Sequence, residues 1–379
     1  MKPNEYGPIP GSTILNGIAG KKAIVMAANV RITTVAEGIF RAARDTDSAV
    51  FMELARSESD LSGGYTGLKP QDFSERMRSA AEAVQFDIWA LHADHISIKK
   101  GDAKEVEGTK ELIDAQIKAG YTSFAIDASH LFNFEGKNVR EELAENIRVT
   151  SELAKYIKSK MNKKEFGLEV EVGEIGRKDG QGLILTRPGE AVEFIRALNE
   201  NDVFPNVLAI ANGSSHGHSY DANGNVVEQL SIDIPQTVAI AKALRDAKLK
   251  VGIAQHGITG TPRDLINLHF PKGDIIKGNV GTFWQDVVFA VLKVYEPALY
   301  RDIQNWTLDK YRPLNPGKQD RQVFDGNCKF AIKEFFRDIY AVDQETEKAI
   351  QAMAYAESLV FFRAFGAYGT ASFIRKMKK

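Results

Sequence analysis

The chain reads as an α/β protein of the (β/α)₈ barrel type, and three observations predict it. Eight short apolar runs alternate with segments of helical period over residues 1–300. Most runs are rich in Val, Ile, Phe or Ala and largely apolar, as strands covered on both faces should be. Six of the eight finish on a potential metal ligand or a glycine-rich cluster, and such ends meet only if the strands all finish on one face, as in a closed parallel barrel. An open doubly wound sheet is the other fold that alternation allows. Were it to bind a dinucleotide, it would need a glycine fingerprint after the first strand, and Ala27-Ala28-Asn29-Val30 supplies none.

The expected strands are 22–30, 48–54, 87–92, 122–127, 166–172, 206–211, 250–255 and 274–278. The third leads into Leu91-His92-Ala93-Asp94-His95, the fourth closes on Asp127, and the fifth carries Glu169 and Glu171. The sixth runs into 212–217 with His216, the seventh into Gln255-His256-Gly257, and the eighth into Lys277-Gly278-Asn279. Between them, Phe73-Met77-Ala80-Ala81-Val84 and Ile234-Val238-Ala241-Leu244 repeat at helical spacing, as do Val106, Ile113 and Ile117. Pro188, Pro235 and Pro262 fall in expected first helical turns, where a missing N–H costs nothing. Residues 57–69 hold three glycines among small polar residues and read as a mobile loop over the strand ends.

Residues 301–379 form a helical extension to the barrel. A stretch from 300 to 325 contains Pro313 and Pro316, and helical patterns follow at 330–340 and 344–376. The stripe Ile350-Met353-Ala354-Phe361-Ala364-Phe365 must bury against the barrel or against a second subunit, and a homodimer or homotetramer is expected. A net charge of −1, with Lys and Arg spread through the helices, implies no attraction to nucleic acid or membrane. The single cysteine, Cys328, fits a reducing compartment. Residues 1–20 lack the apolar core of a signal peptide, so the expected location is the cytoplasm.

His95, His216 and His256 lie at or just past the ends of strands three, six and seven, and three imidazoles with an open position suit catalytic zinc or a similar divalent ion. His218 competes with His216, and His130 reads as a loop residue. In strict alternation His92 faces away from His95 and is either structural or a further ligand. Asp94, beside His95, can act as general acid or base toward a substrate hydroxyl. Asp127 and Glu171 offer a second metal position or order the imidazoles. Glu169 shares the face of Glu171, which puts two acids in a polar, ion-filled centre. After strands seven and eight come Gly257-Ile258-Thr259-Gly260 and Asn279-Val280-Gly281-Thr282, where barrels commonly bind phosphate with backbone N–H groups.

These motifs (Leu-His-Ala-Asp-His at 91–95, Leu-Glu-Val-Glu-Val-Gly at 168–173, His216-Gly217 with Gly224-Asn225-Val226, and His256-Gly257) resemble the class II, metal-dependent fructose-bisphosphate aldolases over residues 20 to 300. The resemblance implies zinc on His95, His216 and His256, with Asp127 and Glu171 at a second or displaced metal position. It implies that Asp94 handles the C4 hydroxyl proton. It further implies phosphate at Gly257 and Thr259, dihydroxyacetone phosphate against Asn279, and a monovalent cation or phosphate near Gly217. The substrate expected is a sugar phosphate, fructose 1,6-bisphosphate first among ketose bisphosphates.

The chain departs from that pattern in three places. The loop after strand five reads Gly173-Glu174-Ile175-Gly176-Arg177-Lys178-Asp179-Gly180, with Lys178 near the position of the family's proton-moving glutamate, so Glu174 or Asp179 takes that part. Gly281 replaces an aspartate after strand eight, and Ile258 replaces a glycine after strand seven. Two other readings compete: a Schiff-base aldolase using Lys277, and a barrel that binds a sugar phosphate without turning it over.

Overall fold

The protein was analysed as a computed structural model, which describes residues 5–174, 178–179, 182–215, 217–221 and 224–377. Eight parallel strands close into a barrel: β1 Val25–Asn29, β2 Val50–Ala55, β3 Trp89–Ser97, β4 Ser123–Asp127, β5 Gly167–Glu171, β6 Val207–Ala209, β7 Gly252–Gln255 and β8 Ile275–Val280. Each strand pairs with its neighbours in sequence, and β1 closes on β8 with Val25 opposite Lys277 and Ala27 opposite Asn279. All eight expected strands are present. Three run further than expected, β2 by one residue to Ala55, β3 to Ser97 and β8 to Val280, and the last two take Asp94, His95 and Asn279 into the sheet itself.

Helices cover the outside of the barrel. Pro70–Val84 buries Phe73, Met77, Ala80, Ala81 and Val84, the stripe that the spacing predicts. Ile234–Asp246 differs: it buries Thr237, Ile240, Ala241 and Leu244, and leaves Val238 39% exposed. The face turns because Thr237 Oγ1 accepts a hydrogen bond from buried Asn212 at 2.9 Å. Pro188 and Pro235 stand in first helical turns, and Pro262 immediately precedes the helix Arg263–His269. A helix over Gly11–Ile18 plugs the end of the barrel where the strands begin, with Ile9 N–H on the Trp89 carbonyl and Gly11 N–H on that of Thr122. Gly11 is required there, since a Cβ would lie 2.6 Å from Ser123 Cβ.

The C-terminal region is more helical than its prolines suggest, for Pro297–Tyr311 and Asp320–Asn327 are helices within and beside the stretch 300–325. Pro297 opens its helix, where proline is tolerated, and Pro313 lies beyond the helix end. The pattern 344–376 is two helices, Gln344–Ala364 and Thr370–Met377, parted at Gly366 with φ +66°. The first buries Ile350, Ala354, Phe361 and Ala364 against the barrel, and Phe365 follows them, while Met353 stays 39% exposed outside the stripe. Ile24 N–H bonds the Phe365 carbonyl at 2.9 Å, so the extension is tied to the start of β1.

Residues 57–69 are anchored, contrary to the reading of a mobile loop. The Glu58 carboxylate, 2% exposed, accepts from Asn29 Nδ2, Arg31 Nε, Ala55 N–H and Tyr65 O–H at 2.6–2.8 Å. Asp60 accepts from Ser62 and Gly64 backbone N–H groups, closing the turn locally.

Candidate active site

The carboxyl ends of the strands surround a cavity of about 330 Å³. Its wall includes Asp94, His95, Asp127, Glu171, Glu174, Gly217, His256, Gly257, Thr259, Asn279, Gly281 and Thr282, so these predicted residues come from six strands to one place. His216 lies outside the described residues. Asp179 is described only as part of a small antiparallel hairpin, Lys178–Asp179 with Gly182–Leu183. His218 is paired with Asp286 at 3.0 Å, on the helix Thr282–Tyr295.

The geometry of β3 corrects the alternation argument. His92 and Asp94, two residues apart, share the inward face, but His95 turns toward the site as well. The register between β3 and β4 shifts between Ala93 and Ile96, and His95 has φ +37°, a left-handed conformation uncommon for a residue with a side chain. This is a β-bulge, which places two consecutive residues where one is usual. His92 is sealed below the site, its Nδ1 on Ser123 Oγ at 2.7 Å and its Nε2 3.4 Å from Glu169.

The donors converge closely enough for an ion. One ligand atom each from Asp94, His95 and His256 lie within 4.8 Å of one another, and so do those of His95, Asp127 and Glu171. The rings of His95 and His256 stand 4.4 Å apart, centre to centre. His95 Nδ1 is 3.1 Å from Glu171 and 3.4 Å from Asp127. His256 gives its Nε2 to Glu169 Oε1 at 2.7 Å, which assigns Nδ1 as the nitrogen for an ion. Two imidazoles and several carboxylates, nearly all buried, are the donor set that zinc and related ions take, and the site fits such an ion.

The electrostatics are those of a place built for positive charge. Burial opposes the imidazolium of His95, but Asp94, Glu171 and Asp127 outweigh it and raise its pKa well above the usual value. Burial and then Asp127 push Glu171 up to about 8, despite His95. Burial works against ionised Asp127, yet the bond to His95 holds it well below the usual carboxylate range. Asp94 is likewise held low, against burial, by His95, Lys277 and His256. Burial and the charge of His95 depress His256.

The phosphate-type loops line the same cavity. Gly257 has φ +67°, and a Cβ there would fall 2.7 Å from the Ser215 carbonyl, so only glycine fits. Gln229 Nε2 ties the Gly257 carbonyl to Thr261, and Thr259 Oγ1 accepts from Phe283 N–H at 3.4 Å. Thr282 opens the helix Thr282–Tyr295, whose N-terminus therefore faces the cavity.

Several lining residues were not foreseen. Glu53 breaks an apolar strand and was visible as such. Arg31, two residues past β1, meets Glu58 at 2.8 Å and reaches Thr282 Oγ1 and Gln285 Oε1 at 3.3 Å. Lys329 arrives from the C-terminal region, without any local signal in the sequence. His130, read as a loop residue, lines the cavity 3.4 Å from Glu174.

A parallel barrel with imidazoles and acids gathered at its carboxyl face has them where enzymes of this fold carry their active sites. Residues 11–354 match the family described as fructose-bisphosphate aldolase class-II, and the chain belongs to that family. It is 25% identical over 209 residues to a fructose-bisphosphate aldolase of Geobacillus stearothermophilus, covering 54% of this chain and 61% of that one. It is 33% identical over 91 residues to the D-tagatose-1,6-bisphosphate aldolase subunit GatZ of Salmonella paratyphi B, covering 22% of each. The chain thus spans about three fifths of the first relative's length and about a fifth of the second's. The crystal structure of fructose-bisphosphate aldolase from Campylobacter jejuni superposes with a TM-score of 0.63 at 16% identity, covering 96% of this chain and 97% of that one, and shares the fold. Among the described residues no helix is long and apolar enough to cross a membrane.

Proposed function

We propose that the protein catalyses the reversible, metal-dependent aldol cleavage of a ketose bisphosphate, with fructose 1,6-bisphosphate the first candidate and tagatose 1,6-bisphosphate the second. The observation that carries this reading is the joint placement of Asp94, His95 and His256 within ligand distance of one another, in a cavity also lined by the Gly257 and Thr282 loops. His95 and His256, with His216, would hold the ion, and Asp127 and Glu171 would offer it a second position. When bound, a divalent ion supplies Lewis acidity for the oxygen that gains charge as the carbon–carbon bond breaks.

The chain's own residues supply the rest. The loops carrying Gly217, Gly257, Thr259, Gly281 and Thr282 bind a phosphate and so fix the substrate's carbonyl toward the histidines. Asn279 orients the three-carbon fragment. Asp94 takes the C4 hydroxyl proton, the C3–C4 electron pair moves into the enediolate, and a protonated acid of the 173–180 loop returns a proton to C3. Glu174 lines the cavity and is one candidate for that acid, and Asp179 is the other. A monovalent cation near Gly217 would assist the phosphate. We place the protein in the cytoplasm as a homodimer or homotetramer.

The imine alternative is disfavoured by the state of Lys277. Its ammonium is fully buried and lies 2.7 Å from Glu169 and 3.2 Å from Glu53. Burial favours the neutral amine, but these acids and Asp94 raise the pKa above the ordinary lysine value, so no lone pair is offered to a carbonyl. A coupled assay over fructose and tagatose bisphosphates, with and without chelator, tests the proposal. Turnover of one of them that chelation abolishes is expected. Turnover that survives exhaustive chelation would overturn it.

A further inference from the structure

Lys277 has no part in the mechanism, yet it is among the largest fully buried side chains in the protein. Its ammonium donates a hydrogen bond to Asn279 Oδ1 at 3.1 Å and forms ion pairs with Glu169 Oε2 at 2.7 Å and Glu53 Oε2 at 3.2 Å. Each acceptor leads back to the site. Glu169, held through one oxygen by the lysine, bonds His256 Nε2 through the other at 2.7 Å. Asn279, with its carbonyl oxygen on the lysine, must turn its amide nitrogen the other way. That nitrogen donates to Asp94 Oδ1 at 3.1 Å and to Glu53 Oε1 at 2.9 Å.

An ammonium is a donor only, so it fixes which end of each partner it meets. Were Lys277 apolar, the Asn279 amide could flip, and Glu169 would lose the ion pair that holds one of its oxygens and so aims the other. A carboxylate so aimed accepts the Nε2 proton of His256 and thereby selects the tautomer with its lone pair on Nδ1.

We propose that Lys277 is the positioning residue of the metal centre: one sealed ammonium fixes the His256 ring through Glu169 and the Asp94 carboxylate through Asn279. The inference rests on His256 being a metal ligand, as proposed above. It assigns to β8 a role beyond its contact with substrate, and it explains why a barrel centre with three acids retains a lysine as its fixed internal cation.

Co²⁺ reports the test, because its visible absorption follows ligand number and geometry. Lys277→Met, compared with wild type, should bind Co²⁺ at least tenfold more weakly, the usual range for loss of a group that orients a ligand, and with an altered absorption band. Lys277→Arg should recover part of both. If Lys277→Met does not fold, Lys277→Met with Glu169→Gln removes one positive and one negative charge together and leaves the charge balance of the barrel centre as it was. That double variant should still bind Co²⁺ at least tenfold more weakly. Wild-type affinity and an unchanged band, in whichever of these variants folds, would overturn the inference. A wild type that takes up no Co²⁺ would instead remove the metal reading itself.

Discussion

Glu58→Gln is a perturbation whose size can be worked out from the anchored loop. The carboxylate receives four hydrogen bonds, two on each oxygen. Glutamine keeps the shape but turns one oxygen into a donor, so two of the four bonds become donor against donor. Arg31, with its side chain 13% exposed, also loses its counter-charge, keeping only weaker bonds to Thr282 and Gln285. Breaking a buried charged pair from one side costs about 3–5 kcal/mol. The unfolding entropy of about 2.1 cal/mol/K per residue gives roughly 0.8 kcal/mol/K for a chain of this length, so Tm should fall by about 4–6 °C. Differential scanning calorimetry measures this directly, and the KM for substrate should rise in parallel, because Arg31 and Tyr65 line the cavity. A Tm within 1 °C of wild type would show that Arg31 and Tyr65 have other partners as good as Glu58, and the account of the loop would fail.

Further outcomes follow from the site. Asp94→Asn should lower kcat by roughly 10²-fold, the scale of a lost general acid or base, with metal content unchanged; a loss of metal with the residual chemistry intact would make Asp94 a ligand-orienting group. Because the carboxyl of Glu171 is pushed up to about 8 and the imidazole of His95 is held well above its usual value in the ion-free protein, an ion binding there displaces protons, so metal affinity should fall by about tenfold or more per pH unit below pH 8. Competition with a chelator from pH 6.5 to 8.5 checks this, and a flat profile would refute it. Borohydride with substrate present should leave Lys277 unmodified by mass spectrometry, since the neutral fraction of an ordinary lysine is already only about 10⁻³ at pH 7.4 and its neighbours reduce it further. Of Glu174→Gln and Asp179→Asn, one should suppress solvent exchange at C3 of dihydroxyacetone phosphate while leaving its binding intact; normal exchange in both would point to another loop.

The barrel was legible because strands covered on both faces leave uninterrupted apolar runs, and the site because its residues sit at their ends. What escaped was whatever alternation does not encode. His95 was expected opposite His92, and only the bulge, a backbone event without a glycine to mark it, brings both inward. Arg31 and Lys329 reach the cavity from segments far apart in the chain, where a single basic residue looks like any surface cation. The loop 57–69 looked mobile from its glycines, but Glu58 finds partners on β1 and β2 that composition does not reveal. Val238 and Met353 matched a helical stripe in spacing yet stand 39% exposed outside it; for Val238, buried Thr237 with its bond to Asn212 takes the inward place instead.

The bulge also divides the site into parts that respond differently to disturbance. The spacing of Asp94 and His95 is set by a single peptide link, whereas Glu171 and His256 are brought to them from strands β5 and β7 by non-covalent contacts, the sheet's hydrogen bonds and packing. Loosening of the barrel by heat, denaturant or a core mutation therefore leaves the acid and the first imidazole in step while the remaining donors drift. The covalent pair behaves as the fixed jaw of a vice and the other strands as the moving one. The proposed metal binding should then weaken before the secondary structure is lost.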